Sequence, residues 1–184
     1  MPIAPYCHRR RVRAAGALLA AGILGAACPA AAQQASATLL GPDGGQVGTV
    51  TLGETPHGVL LDVRIDKAAP GAHGFHIHAV GACTPPDFKS AGGHYEPGAH
   101  EHGIANPKGM HAGDLPNVHV GADGTARIEV LAEAVSLKDG TGRAPLHDAD
   151  GSAIVLHAGA DDHASQPAGD AGSRAGCGVI VPAG

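Results

Sequence analysis

The 184-residue chain carries 12 lysines and arginines against 17 acids, and it is 43% hydrophobic with only 2% aromatic residues and 29 glycines. Its length suits a single domain, with a core packed from Val, Ile, Leu and Ala because aromatics are scarce. The acidic balance and the lack of clustered basic side chains exclude phosphate-backbone recognition, so no nucleic acid partner is expected.

The first segment opens on Arg9, Arg10, Arg11 and Arg13, runs through apolar residues at 14–27 and ends on Ala30, Ala31 and Ala32. Basic, apolar and small residues in that order predict a secretory signal peptide over 1–32 and a mature domain over 33–184, in the periplasm or otherwise exported. The apolar run is shorter than the ~20 residues of a bilayer span, so no stable membrane span is expected after cleavage. Cleavage before Cys28, giving a lipoprotein anchor, is the weaker variant, because Gly25 stands where such signals usually carry leucine. Cleavage after Ala32 leaves eight basic residues against all 17 acids, a net charge of −9 (8 − 17). It also removes Cys7 and Cys28, leaving Cys83 and Cys177. Two cysteines in an oxidising compartment predict one disulfide.

Alternating or β-branched runs follow at 35–40, 46–52, 58–66, 74–80, 117–120, 125–131, 153–157 and 178–181. Turn residues separate them, among them Gly41-Pro42-Asp43-Gly44-Gly45 and Ala122-Asp123-Gly124. The pattern predicts an all-β fold, an antiparallel sandwich or barrel. Stretches 81–116 and 158–176 are too long and polar for hairpin turns, and long ordered loops on a β scaffold are where sites are built.

Histidine, with 13 copies, is the outlier of the composition. In the strand Gly74-Phe75-His76-Ile77-His78, side chains two apart share a face, so His76 and His78 can reach one metal while Phe75 and Ile77 pack inward. The loop that follows carries His94, then His102 after seven intervening residues, His111 after eight more, and Asp114 after two more. Three imidazoles and a carboxylate suit a closed tetrahedral zinc site. His157 ends an apolar strand, and joined to His76 and His78 it makes an all-imidazole set of the kind copper prefers. On residue type alone, His100 competes with His102 for the third position of the zinc set.

The stretches Gly71-Ala72-His73-Gly74-Phe75-His76-Ile77-His78, Ala91-Gly92-Gly93-His94-Tyr95-Glu96-Pro97, His111-Ala112-Gly113-Asp114-Leu115-Pro116, Val155-Leu156-His157 and Ala171 through Ile180 resemble the copper/zinc superoxide dismutases, in their bacterial, periplasmic form. The resemblance covers roughly residues 36–182. It implies an antiparallel Greek-key β-sandwich or barrel with two long functional loops, and dismutation of superoxide as the activity. It implies copper on His76, His78, His94 and His157, and zinc on His94, His102, His111 and Asp114, with His94 bridging the two metals. Family spacing selects His102 over His100. By the same resemblance Asp161 hydrogen-bonds one ligand of each metal, Arg174 attracts and orients the anion beside the copper, and Cys83 pairs with Cys177. His73 matches a structural histidine beneath the site, whereas His57, His119, His147 and His163 match nothing functional. The family's lysine-bearing loop before the arginine is absent here, which leaves Lys89 and Lys108 as the expected steering charges. A copper- or zinc-storing module without catalysis is the rival reading, and a homodimer is the expected form of self-association.

Overall fold

In a computed structural model the structure describes residues 34–183, so the signal segment expected over 1–32 lies outside the described residues. Eleven strands follow in order: β1 (Gln34–Leu40), β2 (Gln46–Thr55), β3 (Gly58–Ile65), β4 (Gly71–His78), β5 (Asp114–Val120), β6 (Ala126–Ala132), β7 (Val135–Ser136), β8 (Ala144–Pro145), β9 (Ala153–His157), β10 (Arg174–Val179) and β11 (Val181–Pro182). The sole helical element among the described residues is a single 3-10 turn, Lys89–Ala91. None of their helices is long and apolar enough to cross a membrane.

The principal sheet runs β5-β4-β9-β10-β1-β2-β3-β6, antiparallel throughout, with β11 added beside β1. Its two end strands, β5 and β6, are joined by the Gly121–Thr125 turn and pack together, so the sheet nearly closes into a barrel. Alternation explains the strands: in β1 and β3 every second residue is buried, as a half-solvated antiparallel face requires. The inward set, including Leu39, Val50, Leu52, Leu61, Val63, Phe75, Ile77, Leu115, Ile154 and Leu156, forms the barrel core. β1 to β6, β9 and β10 each overlap a run read from the sequence, β9 with the same ends and the others with shifted ones, whereas the short β7 and β8 match none.

Three shifts matter. β4 begins at Gly71, ahead of the run read from 74, while β5 begins at Asp114 and β10 at Arg174, so the last residues of both expected loops are strand. Gly176 helps hide the first half of β10, which reads as loop, and at Gly178 a Cβ would lie 2.5 Å from the Thr38 carbonyl oxygen, so only an unsubstituted backbone fits against β1 there. The β4–β5 ladder slips between His73 and Phe75, and the β9–β10 ladder slips between Arg174 and Gly176. Bulges bend strands and re-aim side chains beside sites, and these two flank His76 and Arg174.

Candidate metal centre

From His73 onward β4 is buried on both faces. Phe75 and Ile77 enter the barrel core, while His76 and His78 point out of it and are covered by the two long loops, leaving them 0% and 1% exposed. His94 is brought alongside by a bridge between His78 and His94, and His157 arrives from the end of β9, two strands joined in register by the pairing of His76 with Val155. The ring centroid of His76 lies 4.0 Å from that of His94 and 4.9 Å from that of His157.

Each of the four rings has one nitrogen engaged and one left over. His76 donates from Nε2 to Asp161 Oδ2 at 2.7 Å, His78 from Nδ1 to the Gly92 carbonyl at 3.0 Å, and His157 from Nδ1 to the Gly172 carbonyl at 3.2 Å. The remaining atoms, His76 Nδ1, His78 Nε2, His94 Nε2 and His157 Nε2, are buried without a hydrogen-bond partner. Buried polar atoms are ordinarily paired, and four orphaned lone pairs from one cluster need a shared cation. Burial pushes His76 and His157 down to about 4 and His78 to about 2. All three are therefore neutral at pH 7, the form that ligates. The donor set is four imidazole nitrogens, which suits copper.

On its other side His94 presents Nδ1 to a second cluster. His94 Nδ1 lies 2.8 Å from Asp114 Oδ1, His102 Nδ1 3.0 Å and His111 Nδ1 3.3 Å from the same oxygen, and His111 Nδ1 lies 3.4 Å from His94 Nδ1. A tetrahedron with ~2.0 Å bonds has edges of about 3.3 Å, so four donors at these separations fit the zinc shell. Asp114 Oδ2 is taken by the amides of Gly103 at 2.9 Å and His111 at 3.0 Å, which leaves Oδ1 for the site. Burial would raise the Asp114 carboxyl, but the hydrogen bond from His94, the Gly103 amide and the charge of His102 outweigh it and hold it well below the usual carboxylate range.

Asp161 ties the clusters together, accepting from His76 through Oδ2 and from His102 Nε2 through Oδ1 at 3.0 Å. Its own position is set by Asn117 of β5, whose amide accepts the Asp161 N–H and donates to the Asp161 carbonyl, both at 2.8 Å. Gly169 makes room for this: a Cβ there would fall 1.7 Å from Asp161 Oδ1 and 2.8 Å from His102 Nε2.

Arg174 donates to the carbonyls of Phe88 and Gly92, and the Gly92 oxygen also accepts from His78. The guanidinium is thus tied to His78 through the Gly92 carbonyl, on the backbone of the disulfide-bearing segment. Cys83 and Cys177 form that disulfide, with Cα atoms 5.6 Å apart, and Cys177 packs in a small cluster with Phe88 and Ala91. A depression of about 440 Å³ beside Arg174 is lined by Pro42, Pro86, Asp87, Lys89, Gly172 and Ser173.

The structure thus brings together His76, His78, His94 and His157, and separately His94, His102, His111 and Asp114. His100 stays outside, exposed and paired with Glu96 at 3.0 Å. His73 lies beneath, spanning the His157 and Ala69 carbonyls at 2.7 Å each. Lys89 reaches the Arg174 depression but pairs with Asp87 at 3.3 Å, while Lys108 pairs with Glu101 at 3.5 Å and does not line it. Sequence reasoning leaves out Asn117 and Gln166, whose amides grip loop backbone 44 and 64 residues away. Nothing in local sequence signals them.

Residues 46–180 match the family described as copper/zinc superoxide dismutase. Over 147 residues the chain is 50% identical to "Superoxide dismutase [Cu-Zn]" of Caulobacter vibrioides, covering 79% of this chain and 84% of that one. It is 44% identical over 145 residues to "Superoxide dismutase [Cu-Zn] 1" of Aquifex aeolicus, covering 78% and 85%. The crystal structure of a SOD-like protein from Bacillus subtilis superposes with a TM-score of 0.76 at 39% identity, covering 79% of this chain and 97% of that one.

Proposed function

The chain belongs to the copper/zinc superoxide dismutase family, and from that premise we propose that it converts two superoxide anions and two protons to dioxygen and hydrogen peroxide at a site shared between the two histidine clusters. The observation that carries the proposal is the ring of His94, which offers Nε2 to one cluster and Nδ1 to the other. His76, His78, His94 and His157 would hold copper, and His94, His102, His111 and Asp114 would hold zinc. Copper supplies the one-electron oxidation and reduction, and zinc, which has no redox chemistry, fixes the geometry.

The chain's own residues supply the rest. Arg174 attracts the anion and orients it beside the copper-side nitrogens, with its guanidinium already fixed by two carbonyls, so little reorganisation remains when charge develops. His94 Nε2, whenever it is not engaged as a ligand, would take up a proton and deliver it to the departing peroxide. Asp161 keeps His76 and His102 in one tautomer and orientation. A module that only stores metal needs neither a fixed arginine nor a shared ring, which disfavours the rival reading.

Superoxide consumption by protein loaded with both metals, followed by pulse radiolysis, tests the activity, and loaded protein no faster than buffer would leave metal storage. His157→Ala should lose copper and activity but keep zinc, whereas Asp114→Ala should lose zinc first; metal analysis of both variants separates the sets.

The division at residue 32, export to the periplasm and the lipoprotein variant at Cys28 belong to the same proposal, supported by the disulfide, which forms and persists in oxidising compartments. Exposed Ile104, Met110 and Leu131 line one depression of about 820 Å³, and this apolar face supports a homodimer, which sedimentation of the parent against Leu131→Glu would test.

A further inference from the structure

His102 is fully buried, yet it lies in the loop between β4 and β5, where no strand pairs with its backbone. Its polar backbone groups are nevertheless both engaged. The His102 N–H donates to Gln166 Oε1 at 3.0 Å, and Gln166 Nε2 donates to the His102 carbonyl at 2.9 Å. A primary amide sets an N–H donor beside a carbonyl acceptor, spaced like those of a peptide group, and its second N–H here donates to the Ala164 carbonyl at 3.1 Å. Gln166 therefore reproduces, with one side chain, the paired bonds that a residue in an antiparallel ladder exchanges with its neighbour.

We propose that Gln166 is a positioning residue for His102, docking the loop after β9 onto the loop before β5 so that the imidazole of His102 reaches the His94, His111 and Asp114 set at a fixed depth. The inference rests on reading that set as the zinc ligands.

Three features on the page support it. First, the ring is held from its far end by Asp161 Oδ1, and a ring held there still pivots unless its backbone is held too; Gln166 and the Asn106 amide, which donates to the same carbonyl at 3.0 Å, supply that second anchor. Second, the loops meet backbone to backbone beside this contact. The Ala105 amide donates to the His163 carbonyl at 3.0 Å, and a Cβ on Gly103, at φ +115, would stand 2.2 Å from that same oxygen. Third, Gln166 itself is exposed, so removing its amide opens no core cavity. Its loss is expected to act on the site more than on the fold.

Partners that orient metal ligands typically contribute 10- to 100-fold to affinity. With Asn106 and Asp161 still in place, the lower end is expected here.

The test uses the full mature chain with its disulfide intact and compares the parent with Gln166→Met, which keeps length but offers no hydrogen bond, and Gln166→Glu, which keeps the acceptor but sets a carboxylate against the His102 carbonyl. Zinc affinity at pH 7 is measured by competition with a chromophoric chelator, and cobalt(II) bound in place of zinc reports ligand geometry through its visible bands. Both variants should bind zinc about tenfold more weakly, 1.4 kcal/mol, and show altered cobalt bands, with the melting temperature of the metal-free protein unchanged. Parent-like zinc affinity and cobalt bands in both variants would overturn the proposal, as would weaker zinc binding that tracks a lower metal-free melting temperature with unaltered cobalt bands. Asp114→Ala separates the two levels of the argument. If it binds zinc like the parent, the ligand reading fails and the inference falls with it; if it loses zinc while Gln166→Met does not, the inference alone is wrong.

Discussion

Taking the metal-free protein from pH 7 to pH 5 is expected to remove about 5 kcal/mol of folding stability. The cause is burial of three neutral imidazoles. An unfolded histidine titrates near 6.5, whereas His76 and His157 remain neutral to about 4 and His78 to about 2. Below pH 6.5 the unfolded chain therefore binds protons that the folded chain refuses. Stability from these groups is fully present above 6.5 and is lost as pH falls toward the folded values. Each site contributes about 1.4 kcal/mol per pH unit once well below 6.5, or roughly 1.8 kcal/mol over the interval. Asp114 and Asp161 are held below the ordinary carboxylate range, so their contribution persists here and is lost only under more acidic conditions. Set against a typical 5–15 kcal/mol of total stability, the effect is large. Urea unfolding at pH 5, 6 and 7, followed by far-UV circular dichroism because the chain has no tryptophan, measures it. Metal-loaded protein should hold its stability until protons displace the metals. A flat profile for the metal-free protein between pH 7 and 5 would refute the assignment of buried, neutral rings.

Replacing both Cys83 and Cys177 by serine should cost up to roughly 4.7 kcal/mol in the chain-entropy picture, and it should slow superoxide consumption as the Phe88 and Gly92 carbonyls loosen around Arg174; an equilibrium denaturation curve and a rate measured on the same sample check both. Gly169→Ala should weaken zinc and copper together, because its Cβ would overlap the Asp161 carboxylate at a backbone angle of φ +64 that disfavours any side chain, and metal content after dialysis reads the result. Lys89→Gln should lower the second-order rate at low salt and flatten its salt dependence, with Lys108→Gln smaller in effect and Arg174→Ala larger than either, since Lys89 alone of the two lysines lines the Arg174 depression. The salt series should run to physiological strength, where the screening length is about 8 Å.

The seven positions that cluster at the candidate metal centre were legible in the sequence because metal chemistry admits few residue types. An imidazole at 76 and another at 78 on one strand, and three more with a carboxylate along a loop, have no equally economical structural reading once taken together. Strand existence was legible for a similar reason: alternation in β1 and β3 is imposed by a one-sided core. Strand ends were not: Gly176 reads as part of a polar loop, although it lies in β10 where a Cβ would crowd Val47 and Leu156. Least legible were Asn117 and Gln166. An amide that grips a distant backbone must match only a donor and an acceptor, and many loop residues in a polar stretch satisfy that on paper. Their roles depend on which loop lies across which, and that is settled by packing at Gly103 and Gly169, where side chains are missing rather than present. A metal ligand is selected by what its own atoms can do, so its identity survives as a signal in one dimension. A positioning residue is selected by where its partner happens to lie, and this information exists only after the chain has folded.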